Sequence, residues 1–209
     1  MNAVRVTLIE YGAGNLPSVE RALRRLGAET RCAATPAGLA GSQAIILPGV
    51  GHFGALMRTL AERELVVPLR AALADGVPFL GICLGLQALY GSSEEAPDED
   101  GLGLLAGTVR PLPQTVKLPH MGWNQLRRLR PSVLLREVPA AAYFYFAHSY
   151  AALDANSAAV ALCDHGAPFV AALEQGKVLA VQFHPEKSGE AGAQVLRNFL
   201  EFARRESPP

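Results

Sequence analysis

A chain of 209 residues is long enough for one domain with a full hydrophobic core and short for two. Half of its residues are hydrophobic and 18% are charged, and 19 basic residues balance 19 acidic ones, so the charge favours neither a nucleic-acid nor an anionic-membrane partner. Cys32, Cys83 and Cys163 cannot all pair and lack metal-ligand spacing, which fits a reducing, cytoplasmic setting, and no metal or cofactor is expected from the sequence as a whole.

No apolar run reaches membrane-spanning length, and residues 4–9 read as a strand rather than a signal or transit segment. Asn15 is placed to cap a helix whose Leu16, Val19, Leu23 and Leu26 share a face, and Gly27 ends it. Strands are expected over residues 29–33 and 43–47, then helix over 53–74 with a break near Val67-Pro68. A strand into Cys83 and a helix after it complete a βαβ series. This predicts a mostly parallel central sheet flanked by helices on both faces. In such sheets ligands bind beyond the carboxyl ends of the strands, where the loops at 11–16 and 48–53 and the turn at Cys83 fall.

The acidic stretch from Ser92 to Gly101 reads as a solvated loop. Beyond it the character changes. Residues 104–112, 124–129, 142–153, 158–163, 169–174 and 177–183 read as strands, mostly separated by turn residues, so an additional antiparallel, β-rich part is expected. A helix over 188–205 carries Ala191, Val195, Phe199 and Phe202 on one face. No repeat or linker divides residues 1–209, and the expectation is one α/β domain.

Two motifs carry chemistry. In Gly81-Ile-Cys-Leu-Gly85 the glycines flank Cys83 two residues to either side, the pattern of a nucleophile elbow. A sharp strand-to-helix turn brings chain segments close, and glycine removes the Cβ atoms that would clash. The sulfur then lies over the first amides of a helix, which favour thiolate, and the Leu84 amide can point at a developing oxyanion. A lone cysteine would more often be a buried structural residue. The second motif, Phe183-His-Pro-Glu186, supplies what such a nucleophile needs: His184 to move the proton and Glu186 to orient the ring. In extended geometry, residues two apart share a face, which brings Glu186 to His184.

Together the elbow and Phe183-His-Pro-Glu-Lys-Ser188 resemble the class I (triad) glutamine amidotransferases over nearly the whole chain. The resemblance implies that family's fold and hydrolysis of glutamine to glutamate and ammonia. It assigns Cys83 as nucleophile, His184 as base and acid, and Glu186 as orienting carboxylate. It places oxyanion donors at Leu84 and at Val50 or Gly51, and glutamine contacts at Gln87 and at His148, Ser149 and Tyr150.

The segments Tyr11-Gly-Ala-Gly-Asn-Leu16, Pro119-His-Met-Gly-Trp-Asn124 and Tyr145-Phe-Ala-His-Ser-Tyr150 resemble the glutaminase subunits of imidazole glycerol phosphate synthases. That resemblance implies a separate (β/α)₈-barrel cyclase partner meeting Asn15, Met121, Trp123 and Lys187. Each segment also has a plain reading: a glycine-rich turn, a surface turn, and a strand whose aromatic residues are core first. For His52, Cys32, Cys163 and His165 structural roles are expected. The alternatives are a glutaminase serving another synthase (for pyridoxal phosphate, anthranilate or guanylate), a cysteine peptidase or esterase, and a non-catalytic regulatory subunit.

Overall fold

A computed structural model describes residues 3–12 and 15–206. The first half runs β1 (Arg5–Ile9), α1 (Leu16–Arg25), β2 (Glu29–Ala33), α2 (Pro36–Leu39), β3 (Ala44–Gly49), α3 (Phe53–Glu62), α4 (Val66–Ala74), β4 (Phe79–Cys83) and α5 (Leu84–Gln87). The second half runs β5 (Tyr90–Ser93), β6 (Leu105–Pro111), β7 (His120–Gln125), β8 (Arg127–Arg128), β9 (Tyr143–His148), β10 (Tyr150–Ala151), β11 (Ala159–Asp164), β12 (Pro168–Gln175), β13 (Val178–Val181) and α6 (Gly189–Glu206). A 3₁₀ turn, Pro185–Lys187, links the last strand to α6.

Eight strands form the central sheet in the order β2-β1-β3-β4-β13-β12-β11-β8. The first five are mutually parallel, and the sheet turns antiparallel from β12 outward. Part of the β-rich second half therefore extends the central sheet. The rest forms a three-stranded sheet β10-β6-β5 and the antiparallel pair β7-β9.

Successive residues of the inner strands feed opposite cores. Ala44, Ile46, Leu80 and Ile82 face one cluster with Val19 and Leu23 of α1 and Val195 and Phe199 of α6. Ile45, Leu47 and Phe79 face the other, with Phe53, Leu56 and Leu60 of α3 and Leu69 of α4. Burial on both faces explains why these strands are unbroken apolar runs rather than alternating ones. No helix among the described residues is long and apolar enough to cross a membrane.

Several boundaries differ from expectation. The helical break falls at Glu64, whose φ is +57°, and not at Pro68. Pro68 sits in the first turn of α4, where its missing N–H has no intrahelical partner to lose. Asn15 begins α1 but its side chain makes no capping bond; its carbonyl accepts from the Ser18 and Val19 amides. The helix after Cys83 is a single turn; the carbonyls of Ala88 and Leu89 accept from the amides of Leu102, Leu104 and Leu105 and not from a continuing helix. The strands expected over 124–129 and 142–153 are each split, at Leu126 and at Ser149. Pro119 to Asn124 is mostly strand, paired in register with β9.

Candidate active site

Parallel neighbours β4 and β13 pair from Val178 with Phe79 to Val181 with Ile82, so residues just past their carboxyl ends converge. Cys83 ends β4 with φ +54° and ψ −106°, a strained conformation for a residue bearing a Cβ. The turn closes tightly enough that a Cβ on Gly81 would lie 2.6 Å from Gly85 O, and one on Gly85 would lie 1.9 Å from Leu47 O. Close approach is what requires glycine at these two positions; the backbone strain falls on the cysteine between them.

His184 follows β13 and lines the same cleft as Cys83, close enough for the sulfur to act on its imidazole. Its Nδ1 lies 2.9 Å from Glu186 Oε1, and the two side chains are 3% and 1% exposed. The pairing does not come from extended backbone. Glu186 lies in the 3₁₀ turn, which folds its carboxylate back beneath the ring. Burial alone would lower the His184 pKa, but the Cys83 sulfur and the Glu186 carboxylate outweigh it and raise it to about 10. The backbone here is anchored to β9. The His184 amide donates to Tyr145 O (2.9 Å), and Ser188 Oγ donates to His184 O (2.6 Å) while accepting from the Tyr145 amide (3.0 Å).

A cleft of about 140 Å³ opens over the sulfur. It brings together Cys83, His184, Val50, Gly51, Leu84, Gln87, His148, Ser149, Tyr150 and Lys187. Glu186 stands behind His184, outside the lining. Leu84 opens α5, so its amide belongs to the first turn of that helix. The Val50 amide is engaged elsewhere: it donates to the Tyr11 hydroxyl (3.0 Å), which lies 3.3 Å from Val50 O. Burial raises the Tyr11 pKa to about 12, so this phenol stays protonated and donates back to that carbonyl. Glu95, from the acidic stretch read as solvated, also lines the cleft. It is half-buried because its Oε2 accepts from the Phe53 amide (2.7 Å) at the start of α3.

Of the interface candidates, Met121, Trp123 and Lys187 lie on or beside the outward face of the β7-β9 ribbon. In β7, Met121 and Trp123 point outward and are 65% and 56% exposed, while His120 points inward. Opposite Trp123, Tyr145 is half-buried and not core, and Lys187 Nζ sits 5.5 Å from its ring centroid. Asn15 is half-buried at the start of α1; its loop neighbours Ala13 and Gly14 lie outside the described residues. His52 caps α3, its Nδ1 accepting from the Gly54 amide, and His165 stacks on His120 at 4.2 Å, both structural placements. Cys163 is buried, whereas Cys32 is exposed.

Residues 7–202 match the family model described as glutamine amidotransferase class-I. This chain belongs to that family.

Relatives of this amidotransferase include the "Imidazole glycerol phosphate synthase subunit HisH" of Methanothermobacter thermautotrophicus, 48% identical and covering 95% of this chain and 99% of the relative. The protein of the same name from Xylella fastidiosa is 51% identical over 94% of this chain and 97% of its own. Among solved structures, a glutamine amidotransferase superposes with a TM-score of 0.76 at 22% identity, covering 95% of this chain and 98% of that one. PurLQS from Thermotoga maritima gives 0.76 at 20% identity, over 96% and 99%. At these identities the structural matches speak for the fold.

Three residues of this amidotransferase's site escaped sequence reasoning. Tyr11 opens a segment whose sequence signal points to its glycines and to Asn15, not to the phenol. Glu95 was one carboxylate in an acidic run with nothing to single it out. Gln182, whose Nε2 lies 3.4 Å from Cys83 Sγ, did leave a trace: a fully buried amide between Val181 and Phe183.

Proposed function

We propose that this chain is the glutaminase subunit of an imidazole glycerol phosphate synthase. The observation that carries the chemistry is the buried Cys83-His184-Glu186 constellation at the mouth of a small cleft. The partner reading rests on the two HisH relatives, about half identical over almost the whole chain.

In this reading the Cys83 sulfur attacks the side-chain amide carbon of glutamine, and His184, held protonated beside the sulfur and Glu186, gives its proton to the departing ammonia. The neutral ring then takes a proton from the water that hydrolyses the thioester. Glutamate leaves and the thiolate–imidazolium pair is restored. The Leu84 amide serves the tetrahedral oxyanion, with a second donor from Gly51, or from Val50 once its amide leaves the Tyr11 hydroxyl. Glu95 supplies a carboxylate for the substrate's α-ammonium group, and the loop from His148 to Tyr150 borders the rest of the amino acid.

Ammonia released into water becomes ammonium, which is not a nucleophile, so the product must leave through a sealed joint. Trp123, Met121, Lys187 and Asn15 are assigned to that joint, against a (β/α)₈-barrel cyclase subunit that consumes the ammonia in histidine biosynthesis. The decisive experiment measures glutamate release by the purified chain alone, then with a histidine-pathway cyclase subunit and its ribonucleotide ligand. Strong stimulation by the loaded cyclase, abolished by Cys83→Ala, is the expected result. Turnover indifferent to the cyclase would move the chain to another synthase. Turnover persisting in Cys83→Ala would remove the nucleophile assignment.

A further inference from the structure

The Gln182 side chain is fully buried, and it ends a series of contacts reaching from β7 to the nucleophile. Asn124 Nδ2 lies 3.3 Å from His120 Nε2, and His120 Nδ1 lies 3.1 Å from His148 Nε2. His148 Nδ1 lies 2.9 Å from Tyr150 O. Gln87 Nε2 lies 2.8 Å from the same carbonyl and 3.1 Å from Gln182 Oε1, and Gln182 Nε2 lies 3.4 Å from Cys83 Sγ.

One atom fixes the direction of every bond. Tyr150 O is a carbonyl and only accepts, with lone pairs for two donors. Gln87 must therefore turn its NH₂ toward it, and that NH₂ can meet only the oxygen of Gln182. The Gln182 amide is then left with its NH₂ facing the sulfur. On the other branch His148 must carry its proton on Nδ1, so its Nε2 accepts and His120 must donate from Nδ1. His120 Nε2 in turn accepts from the Asn124 amide. Asn124 cannot reverse, because its Oδ1 accepts from the Gln125 amide (2.8 Å) and its Nδ2 also donates to Asp164 O (2.9 Å).

We propose that this one-way chain makes Gln182 a catalytic hydrogen-bond donor to the Cys83 sulfur, with Gln87 as the positioning residue bonded to its oxygen and His148, His120 and Asn124 as the positioning residues that hold the Tyr150 carbonyl against which Gln87 is set. The inference rests on the reading of Cys83 as nucleophile. A buried thiolate lacks water, and an amide N–H aimed at it favours the charged form. A reversed amide would present oxygen to the sulfur and do the opposite. The arrangement requires both histidines neutral. Burial, with smaller contributions from neighbouring imidazoles, lowers His120 to about 4 and His148 to about 3. The other titratable groups around the sulfur are His184 from the turn after β13, Tyr11 after β1, and Glu95 and Lys187 at the cleft.

The test is the pH midpoint of Cys83 alkylation by iodoacetamide on the full chain, read peptide by peptide because Cys32 is exposed. Gln182→Met keeps the length and removes the donor; its midpoint is expected to rise by about one pH unit, about tenfold less thiolate below it. His120→Phe keeps the stacked ring and removes both bonds, and should raise the midpoint by less. His120→Asn restores a donor at the Nδ1 position and should return it toward the wild-type value. An unmoved midpoint in Gln182→Met overturns the inference. Should that variant fail to fold, an unmoved midpoint in His120→Phe, or one that His120→Asn does not reverse, overturns it equally. If the midpoints move while the wild-type chain releases no glutamate with or without a partner, the functional reading fails and the donor chain stands.

Discussion

Adding one methyl group at Gly85 probes how closely the elbow is fitted. The new Cβ would be built 1.9 Å from Leu47 O and 3.0 Å from Leu47 C, where real Cβ atoms essentially never come within 3.0 Å. Both obstacles are backbone, in β3, which is paired in register with β4 through Gly49 and Cys83. Neither strand can swing aside as a long side chain would, so α5 must lift off β3 by about 1 Å, carrying Leu84 and the base of the elbow with it. A misplacement of about 1 Å at reacting groups costs on the order of a hundredfold in rate. Overpacking of this kind adds about 1–3 kcal/mol of destabilisation. The assay pairs glutamate release, measured with the partner, with a thermal melt. Gly91→Ala serves as control, since a Cβ there meets nothing nearer than Gly107 O at 3.9 Å. Gly85→Ala with wild-type turnover and an unchanged melt would refute the close-approach argument, whatever the control does.

Other outcomes follow from single contacts. Tyr11→Phe removes the hydroxyl that holds the Val50 amide, so turnover by the partner-free chain should rise several-fold; an unchanged basal rate would show that this bond does not restrain the loop. Glu95→Gln keeps an oxygen for the Phe53 amide but removes the cleft carboxylate, so KM for glutamine should rise about tenfold or more with kcat less affected. Equal effects on asparagine-like competitors lacking the α-ammonium group would contradict that assignment. Stability should fall as pH drops. His120 and His148 have folded pKa values of about 4 and about 3 against 6.5 for free imidazole, so their neutral burial costs nothing above pH 6.5. Below it the unfolded chain takes up protons the folded one refuses, and stability declines toward pH 4. Melts at pH 7, 5.5 and 4.5 should show this decline, shallower in His120→Phe; a parallel decline in that variant would remove His120 from the account.

Much of the molecule was legible in the sequence because the local and global signals agree. The unbroken apolar runs into Leu47 and Cys83 and the glycines at 81 and 85 each have one structural explanation, and both motifs sit where parallel strands end. What failed to show was whatever depends on distant neighbours. Glu95 differs from Glu94 only in reaching the amide of Phe53, 42 residues earlier. The Glu186 carboxylate reaches His184 through a 3₁₀ turn that α6 and β9 hold in place, not through the extended geometry that spacing suggested. Pro68 misled because proline marks a helix interruption or a helix start with equal ease, and the deciding feature was the positive φ at Glu64. Trp123 and Tyr145 belong to a two-stranded ribbon whose outer face is apolar, an arrangement that strand alternation alone assigns to a core.

The position of β13 in the middle of the sheet has a consequence for how the protein is made. It is the last strand among the described residues, yet it sits between β4 and β12, and it delivers His184 and Glu186. During translation Cys83 leaves the ribosome about a hundred residues before its partners. The unfinished chain thus has its cysteine but neither an imidazole beside the sulfur nor a closed sheet to hold the elbow. By the proposed mechanism, a polypeptide that stops short of β13 should not consume glutamine. On the proposed reading, competence arrives only with β13, the strand that closes the centre of the sheet.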